Sequence, residues 1–155
     1  MTTAAPTRQA LAAVLVAAGV AFTPALTHAQ SAPNQAAAQK TGKYKVVIQV
    51  SDNDPAKWNL ALNNARNVQV DLGKDNVDVE IVAYGPGLPM LKADSKVAGR
   101  LAEALDHNIG LMACENTMRS TKVQKDDIYS GVSYVDAGVV HIMKRQREGW
   151  SYVRP

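Results

Sequence analysis

The stretch Tyr44-Lys-Val-Val-Ile-Gln-Val50, followed by Asp54-Pro55, decides the fold of this chain. The first segment is short and rich in β-branched residues, which is typical of a strand. Asp54 is a good N-cap and proline is tolerated at the first helical position, so a helix is predicted to begin at Pro55. Apolar residues then recur at spacings of three and four positions: Trp58, Leu62, Ala65, Val68 and Leu72. This pattern is typical of one buried helix face, and Gly73 is predicted to end the helix.

The rest of the chain repeats this alternation of strand and helix. Further segments of strand character cover residues 77–81, 109–113, 132–135 and 150–153. Helices are predicted between them: one capped by Ser95, one capped by Asn116 or Thr117 and reaching about Lys125, and one over residues 139–146. The pattern favours a single doubly wound α/β domain over residues 44–155. We expect a mainly parallel sheet of roughly five strands with helices on both faces, while the strand order is not readable.

Composition and charge exclude several classes of protein. The chain has 155 residues, of which 46% are hydrophobic and 20% charged, so its composition is globular. A single cysteine excludes an internal disulfide framework and a multi-cysteine zinc site. The net charge of +3 comes from basic residues spread along the chain, so no nucleic-acid partner is predicted. Neither a metal site nor a cofactor is predicted, and residues 30–43 are predicted to be a disordered linker.

Residues 1–29 have the features of a secretory signal peptide. Arg8 supplies a positive start, residues 10–20 are apolar, and small residues occupy the positions before a cleavage site after Ala29. The alternative, an uncleaved membrane anchor, is disfavoured because the apolar stretch is short and Pro24 breaks its end. We therefore expect a periplasmic or secreted bacterial protein that has no membrane association after cleavage.

Cys114 is the sharpest chemical feature of the sequence. It lies at the carboxyl end of the most buried predicted strand and directly before a predicted helix. Open α/β sheets bind ligands at this edge, and the free N–H groups of a helix N-terminus favour a thiolate. The adjacent Glu115 acts in the opposite direction, because a nearby negative charge raises the pKa of a thiol. An inert cysteine buried in the core is the alternative interpretation.

Polar residues near the same edge are candidates for binding a ligand. They are Asn116, Thr117, Asp52, Tyr84 and Gly85. A calcium loop that begins at Asp52 would need glycine and glutamate where Lys57 and Asn63 stand, so a turn is the better interpretation there. The segment Tyr84-Gly85-Pro86-Gly87 lacks the Gly-Lys-Ser/Thr of a phosphate loop. It is interpreted as a rigid loop that walls a pocket beside Cys114.

The segment Met112-Ala113-Cys114-Glu115-Asn116-Thr117-Met118 resembles the DsrE/DsrF-like family, whose signature cysteine lies in an Ala-Cys-x-Asn-Thr-Met setting. The ending Gly149-Trp150-Ser151-Tyr152-Val153-Arg154-Pro155 agrees as well, and the resemblance covers essentially residues 44–155. It implies an α/β sandwich that assembles into trimers or hexamers. Better-studied relatives carry sulfur as a persulfide on this cysteine, so Cys114 is the one catalytic residue that the resemblance implies. The predicted export and Glu115 both depart from the family pattern.

Three functions follow from these observations. The first is an exported sulfur carrier or sulfurtransferase-like protein that holds a persulfide on Cys114 and exchanges sulfur with a donor or acceptor protein or a small thiol. The second is a non-catalytic protein that binds a small ligand or serves in oligomeric assembly, with a structural cysteine. The third is a thiol redox sensor that acts through sulfenic acid or an intermolecular disulfide.

Overall fold

Five parallel strands form one sheet in the computed structural model, which describes residues 42–155. The strands are β1 (Tyr44–Val50), β2 (Val77–Ala83), β3 (Gly110–Cys114), β4 (Ser133–Val135) and β5 (Ser151–Val153). Their order across the sheet is β4-β3-β2-β1-β5, and every neighbouring pair is parallel. The expected α/β fold class is confirmed. The predicted signal peptide and most of the predicted linker lie outside the described residues.

Helices cover both faces of the sheet. They are α1 (Pro55–Leu72), α2 (Ala98–Asp106), α3 (Glu115–Thr121) and α4 (Gly138–Arg147). The chain moves in one direction from β1 to β4 and then returns past all of these strands to β5. Since right-handed crossovers put connections of opposite direction on opposite faces, α4 belongs on the face that α1 and α2 leave uncovered. The packing agrees: α1, α2 and α3 contribute to the first core, and α4 contributes to a second core of Val47, Val82, Ile142 and Trp150.

Helix α1 begins and ends as its sequence predicts. The Asp54 side chain accepts a hydrogen bond from the amide of Ala56 at 2.8 Å, and Pro55 is the first helical residue. Gly73 follows the helix with a φ of 88°, a conformation that favours glycine. Trp58 is buried in the first core, and its indole nitrogen donates to the Asp52 carbonyl at 2.7 Å. Local sequence signals therefore suffice to define this helix.

Two other predicted helix starts are wrong. Helix α2 begins at Ala98, because Ser95 closes a preceding turn in which its hydroxyl accepts from the Val97 amide at 3.3 Å. Helix α3 has Cys114 as its N-cap in place of Asn116 or Thr117. It ends at Thr121, short of Lys125, since Lys122 takes a left-handed φ of 58°. The segment after β2, predicted as a loop, forms a 3-10 helix over Gly85–Leu91, and two shorter ones cover Lys74–Asn76 and Lys125–Asp127.

A buried carboxylate attaches α4 to the sheet. Glu80 of β2 is 7% exposed, and Arg145 donates to its two oxygens from Nε at 2.9 Å and from Nη2 at 2.6 Å. His141 Nε2 lies 2.8 Å from Glu80 Oε2. Gly110, the partner of Glu80 on β3, leaves the necessary space, because a Cβ at that position would lie 3.2 Å from Glu80 Cγ. The guanidinium of Arg145 also stacks on Trp150, 4.6 Å from the ring centroid.

Replacing Glu80 with Ala is expected to lower the free energy of unfolding by about 2–4 kcal/mol, because Arg145 and His141 then lose their buried partner and Arg145 keeps only the exposed Glu148. Asp78 provides a matched control. It lies on the same strand, and its carboxylate pairs with Lys43 at 2.6 Å where both side chains are exposed. Asp78→Ala is expected to change the free energy by less than about 1 kcal/mol. Urea denaturation measures both, and equal losses in the two variants would contradict this account.

Candidate functional site

The candidate site lies where the strands end. The carboxyl ends of parallel strands meet at one edge of a sheet, and Cys114 is the last residue of β3. Side chains alternate between the faces of a strand, so Cys114 points to the same face as Met112, which packs against the second core under α4. The cysteine is 4% exposed. The sulfur is therefore enclosed between the end of β3 and the helix that crosses this face.

Cys114 also lies where the order in which strands are added across the sheet reverses, between β3 and β4. Strand β3 leads directly into α3, whose Met118 packs in the first core, while the loop after β4 leads into α4 on the opposite face. Cys114 pairs with Val135 across these two strands. In open α/β sheets the crevice between two such diverging connections is the usual place for a ligand.

Hydrogen-bond donors from two helix starts converge on the sulfur. The amide of Gly138, the first residue of α4, donates to Cys114 Sγ at 3.3 Å. Ala137 precedes it and has no side-chain acceptor, so the sulfur satisfies one of the amides that every helix start leaves open. The hydroxyl and amide of Thr117, at the start of α3, also stabilise the charged sulfur, whereas the Asn116 amide donates to the Asp136 carbonyl at 3.0 Å.

These donors favour the thiolate over the thiol. Burial raises the pKa of Cys114, but the Thr117 hydroxyl and the backbone amides of Gly138 and Thr117 lower it by more. The net result is a pKa below the ordinary value for cysteine. Glu115 was expected to act against this shift, yet the net change in the pKa of Cys114 is downward. The Glu115 carboxylate pairs with Lys125 Nζ at 3.2 Å, which offsets the negative charge.

Three of the predicted ligand-binding residues meet around Cys114. Thr117 Oγ1 accepts a hydrogen bond from the Gly85 amide at 2.8 Å, which ties the segment after β2 to the start of α3. The Tyr84 ring lies against Gly138, where an added Cβ would come within 2.9 Å of Tyr84 Cβ. Glycine at 138 thus permits the close approach that brings the α4 amide to the sulfur.

The other two predicted residues point elsewhere. Asn116 is exposed, its side-chain oxygen accepts from Arg119, and its backbone amide donates to the Asp136 carbonyl at 3.0 Å. Asp52 follows β1, two strands away from Cys114. Its carboxylate lies 3.1 Å from Lys57 Nζ and 3.6 Å from Arg154 Nη2. The hydrogen bond from Lys57, with the positive charges of Lys57 and Arg154, lowers the pKa of Asp52 despite some desolvation.

Sequence reasoning missed Gly138, which donates to the sulfur, and did not assign a role to Arg154. Gly138 carries no local signal, since its importance comes from the pairing of β3 with β4. Arg154 follows β5 and belongs to the quoted C-terminal ending. Burial raises the pKa of Tyr84, the nearby Tyr152 and Cys114 raise it further, and the charge of Arg154 lowers it by less, so the net shift is upward.

Solved structures of other proteins match this chain. The chain is similar to MTH1491 from Methanobacterium thermoautotrophicum, a protein of unknown function, with 38% sequence identity and a TM-score of 0.70. The match covers 73% of this chain and 100% of that one. This chain belongs to the MTH1491 family. No family model and no curated protein matches it.

The fold is also similar to that of BT1422 from Bacteroides thetaiotaomicron, a conserved protein of unknown function. The identity is 14% and the TM-score 0.57, with 72% of this chain and 94% of that chain covered. At this identity the likeness shows the fold alone.

Within residues 42–155, no helix is long and apolar enough to cross a membrane. In the same range, no three His, Cys, Asp or Glu side chains are grouped so that they could hold a metal ion.

Replacing Thr117 with Val is expected to raise the pKa of Cys114, because the thiolate loses a hydroxyl donor. A hydrogen bond to a charged group is worth about 1.5–3 kcal/mol, so alkylation by iodoacetamide at neutral pH is expected to slow by roughly tenfold. The profile of rate against pH moves to higher pH. Intact mass spectrometry over time measures the rates.

Thr117→Ser is the matched control, since it keeps the hydroxyl that donates to the sulfur and accepts from Gly85. Its alkylation profile is expected to follow that of the wild type. Identical profiles for Thr117→Val and the wild type would contradict the assigned role of the hydroxyl.

Proposed function

We propose that this protein is a sulfur carrier or sulfurtransferase-like protein that holds a persulfide on Cys114. The observation that carries the proposal is the set of donors directed at one sulfur atom, which lowers the pKa of Cys114 although the residue is buried. The thiolate, and not the thiol, is the nucleophile in sulfur exchange. A cysteine that served only as an apolar side chain would gain nothing from these donors.

Sulfur transfer takes place in two successive thiol–persulfide exchange steps. The Cys114 thiolate attacks the terminal sulfur of a donor R–S–SH, a bond forms between the two sulfurs, and the S–S bond of the donor breaks. R–S⁻ leaves with the electron pair, and Cys114 holds the sulfur as Cys–S–SH. A second thiolate then attacks that terminal sulfur and releases the Cys114 thiolate. The amide of Gly138 and the hydroxyl of Thr117 stabilise the anion before the first step and after the second.

The proposal includes three further points that come from the sequence. The heptad around Cys114 and the C-terminal ending support membership of the DsrE/DsrF-like family. The N-terminal pattern supports export, so the carrier would act in the periplasm or outside the cell. The family resemblance supports a homo-oligomer, a trimer or hexamer, that exchanges sulfur with a donor or acceptor protein or with a small thiol.

One observation favours a second candidate, a non-catalytic protein with a structural cysteine. Cys114 is 4% exposed, and its sulfur accepts from the first amide of α4. In this role the sulfur would serve as a helix cap, and the crevice between β3 and β4 would bind a small ligand. The two candidates differ in whether the sulfur reacts while the protein is folded.

Incubation of the purified protein with glutathione persulfide is expected to add the mass of one sulfur atom, and a reductant is expected to remove it. Cys114→Ser is expected to show no gain and an unchanged circular dichroism spectrum, since serine retains an acceptor for the Gly138 amide. Intact mass spectrometry measures the gain. No gain in the wild type, together with alkylation only after unfolding, would reject sulfur carriage and favour the structural cysteine.

A further inference from the structure

Helix α4 carries both the donor to the sulfur and the contacts to Glu80. Gly138, His141 and Arg145 are spaced by three and four residues, so they lie along one stripe of the helix. At the start of this stripe the Gly138 amide donates to Cys114 Sγ at 3.3 Å. About two turns further on, Arg145 donates to both oxygens of Glu80, and His141, which lies between, contacts the same carboxylate. One short, continuous helix therefore joins the sulfur to the carboxylate.

Glu80 is held at the middle of the sheet. It lies on β2, the central strand, where its register partners are Val47 on β1 and Gly110 on β3. The residue is 7% exposed, and an ionised carboxylate at such depth is costly unless it is paired. Arg145 and His141 are therefore bound to a fixed point of the sheet.

Few other contacts orient the first turn of α4. Its N-cap, Ala137, makes no side-chain hydrogen bond to the helix. One backbone bond, from the Asn116 amide to the Asp136 carbonyl at 3.0 Å, holds the loop before the helix. Within α4, Ile142 is the one buried apolar side chain, and apolar contacts are not directional. The rotation of the helix, and with it the direction of the Gly138 amide, therefore depends on the contacts to Glu80.

We propose that Glu80 is a positioning residue for the reactive sulfur, because its contacts to Arg145 and His141 place α4 so that the Gly138 amide donates to Cys114 Sγ. The inference rests on the proposed function, in which the Cys114 thiolate is the nucleophile. Glu80 acts through the helix and not through contact with the sulfur. Loss of this placement withdraws one donor from the thiolate.

Glu80→Gln separates placement from charge, since the two effects have opposite signs. An amide accepts at its oxygen only, so Arg145 loses its bidentate contact. If Glu80 places the donor, the midpoint of the profile of Cys114 alkylation by iodoacetamide against pH is expected to rise by roughly 0.5 to 1 pH unit. Alkylation at neutral pH then slows roughly threefold to tenfold. Removal of a negative charge without movement of α4 would favour the thiolate and lower the midpoint.

The plateau of the same profile separates placement from exposure of the sulfur. At high pH all of the Cys114 is thiolate, so the plateau reports how easily iodoacetamide reaches the sulfur. A looser helix that only exposes the sulfur raises the plateau and leaves the midpoint unchanged. Intact mass spectrometry over time measures the rates, and circular dichroism confirms that each variant is folded.

Two further variants complete the test. Arg145→Lys keeps the positive charge but not the two parallel hydrogen bonds, and a smaller rise in the midpoint is expected with Glu80 intact. Glu148→Gln is the matched control, since it removes an exposed carboxylate that accepts from the same guanidinium at 2.8 Å. Its midpoint is expected to equal that of the wild type. An unchanged or lower midpoint in Glu80→Gln and Arg145→Lys, or an equal rise in Glu148→Gln, would overturn the inference.

Uptake of sulfur from glutathione persulfide, measured by intact mass, separates this inference from the proposed function. Uptake by the wild type, with an unchanged midpoint in Glu80→Gln, would reject the role of Glu80 and leave sulfur carriage standing. No uptake by the wild type, with a higher midpoint in Glu80→Gln, would reject sulfur carriage and leave a thiolate that Glu80 positions. No alkylation of the folded wild-type protein at any pH would reject both.

Discussion

The return of the chain from β4 to β5 is the constraint on which the rest of the structure depends. These strands form the two edges of the sheet, so their connection must cross an entire face. Helices α1 and α2 already cover one face, and the handedness of crossovers directs α4 to the other. A small second core of Val47, Val82, Ile142 and Trp150 supports it there. The first turn of α4 thereby comes to lie over the end of β3, where its amide meets Cys114 Sγ.

The buried carboxylate of Glu80 gives this crossing a defined position. A charge inside a protein is costly unless it is paired, and Arg145 and His141 together satisfy both carboxylate oxygens. Apolar contacts are not directional, whereas the three polar contacts to Glu80 define both the position of α4 on the sheet and its rotation about its own axis. The same helix presents Gly138 at its other end. The position of the Cys114 donor is therefore coupled to an ion pair about two turns away on the same helix.

The chemistry of the site combines a protected sulfur with a stabilised anion. Burial alone would make Cys114 inert, because it raises the cost of charging the thiol. Donors from the starts of α3 and α4 reverse that outcome, and Lys125 offsets the charge of the adjacent Glu115. Close packing of Tyr84 against Gly138 limits the space around the sulfur. A site of this kind suits a small reagent.

Local patterns in the sequence determined the fold class, the number of strands and the whole of α1, because a strand, an N-cap with proline and an apolar stripe are each defined by residues close together in the chain. They also placed Cys114 at a strand end and Tyr84, Gly85 and Thr117 near it. The predicted starts of α2 and α3 were wrong. Ser95 closes a turn before α2, and Cys114 takes the N-cap position of α3 that was predicted for Asn116 or Thr117.

The tertiary structure alone decided the strand order, the partner of Glu80 and the donors to the sulfur. Gly138 lies 24 residues from Cys114 along the chain, and Arg145 lies 65 residues from Glu80. Such contacts leave no periodicity in the sequence, because they depend on which strands become neighbours and on which face the last helix crosses. The chemistry of Cys114 follows from that arrangement, since the pKa of a thiol is set by the groups that surround it in space.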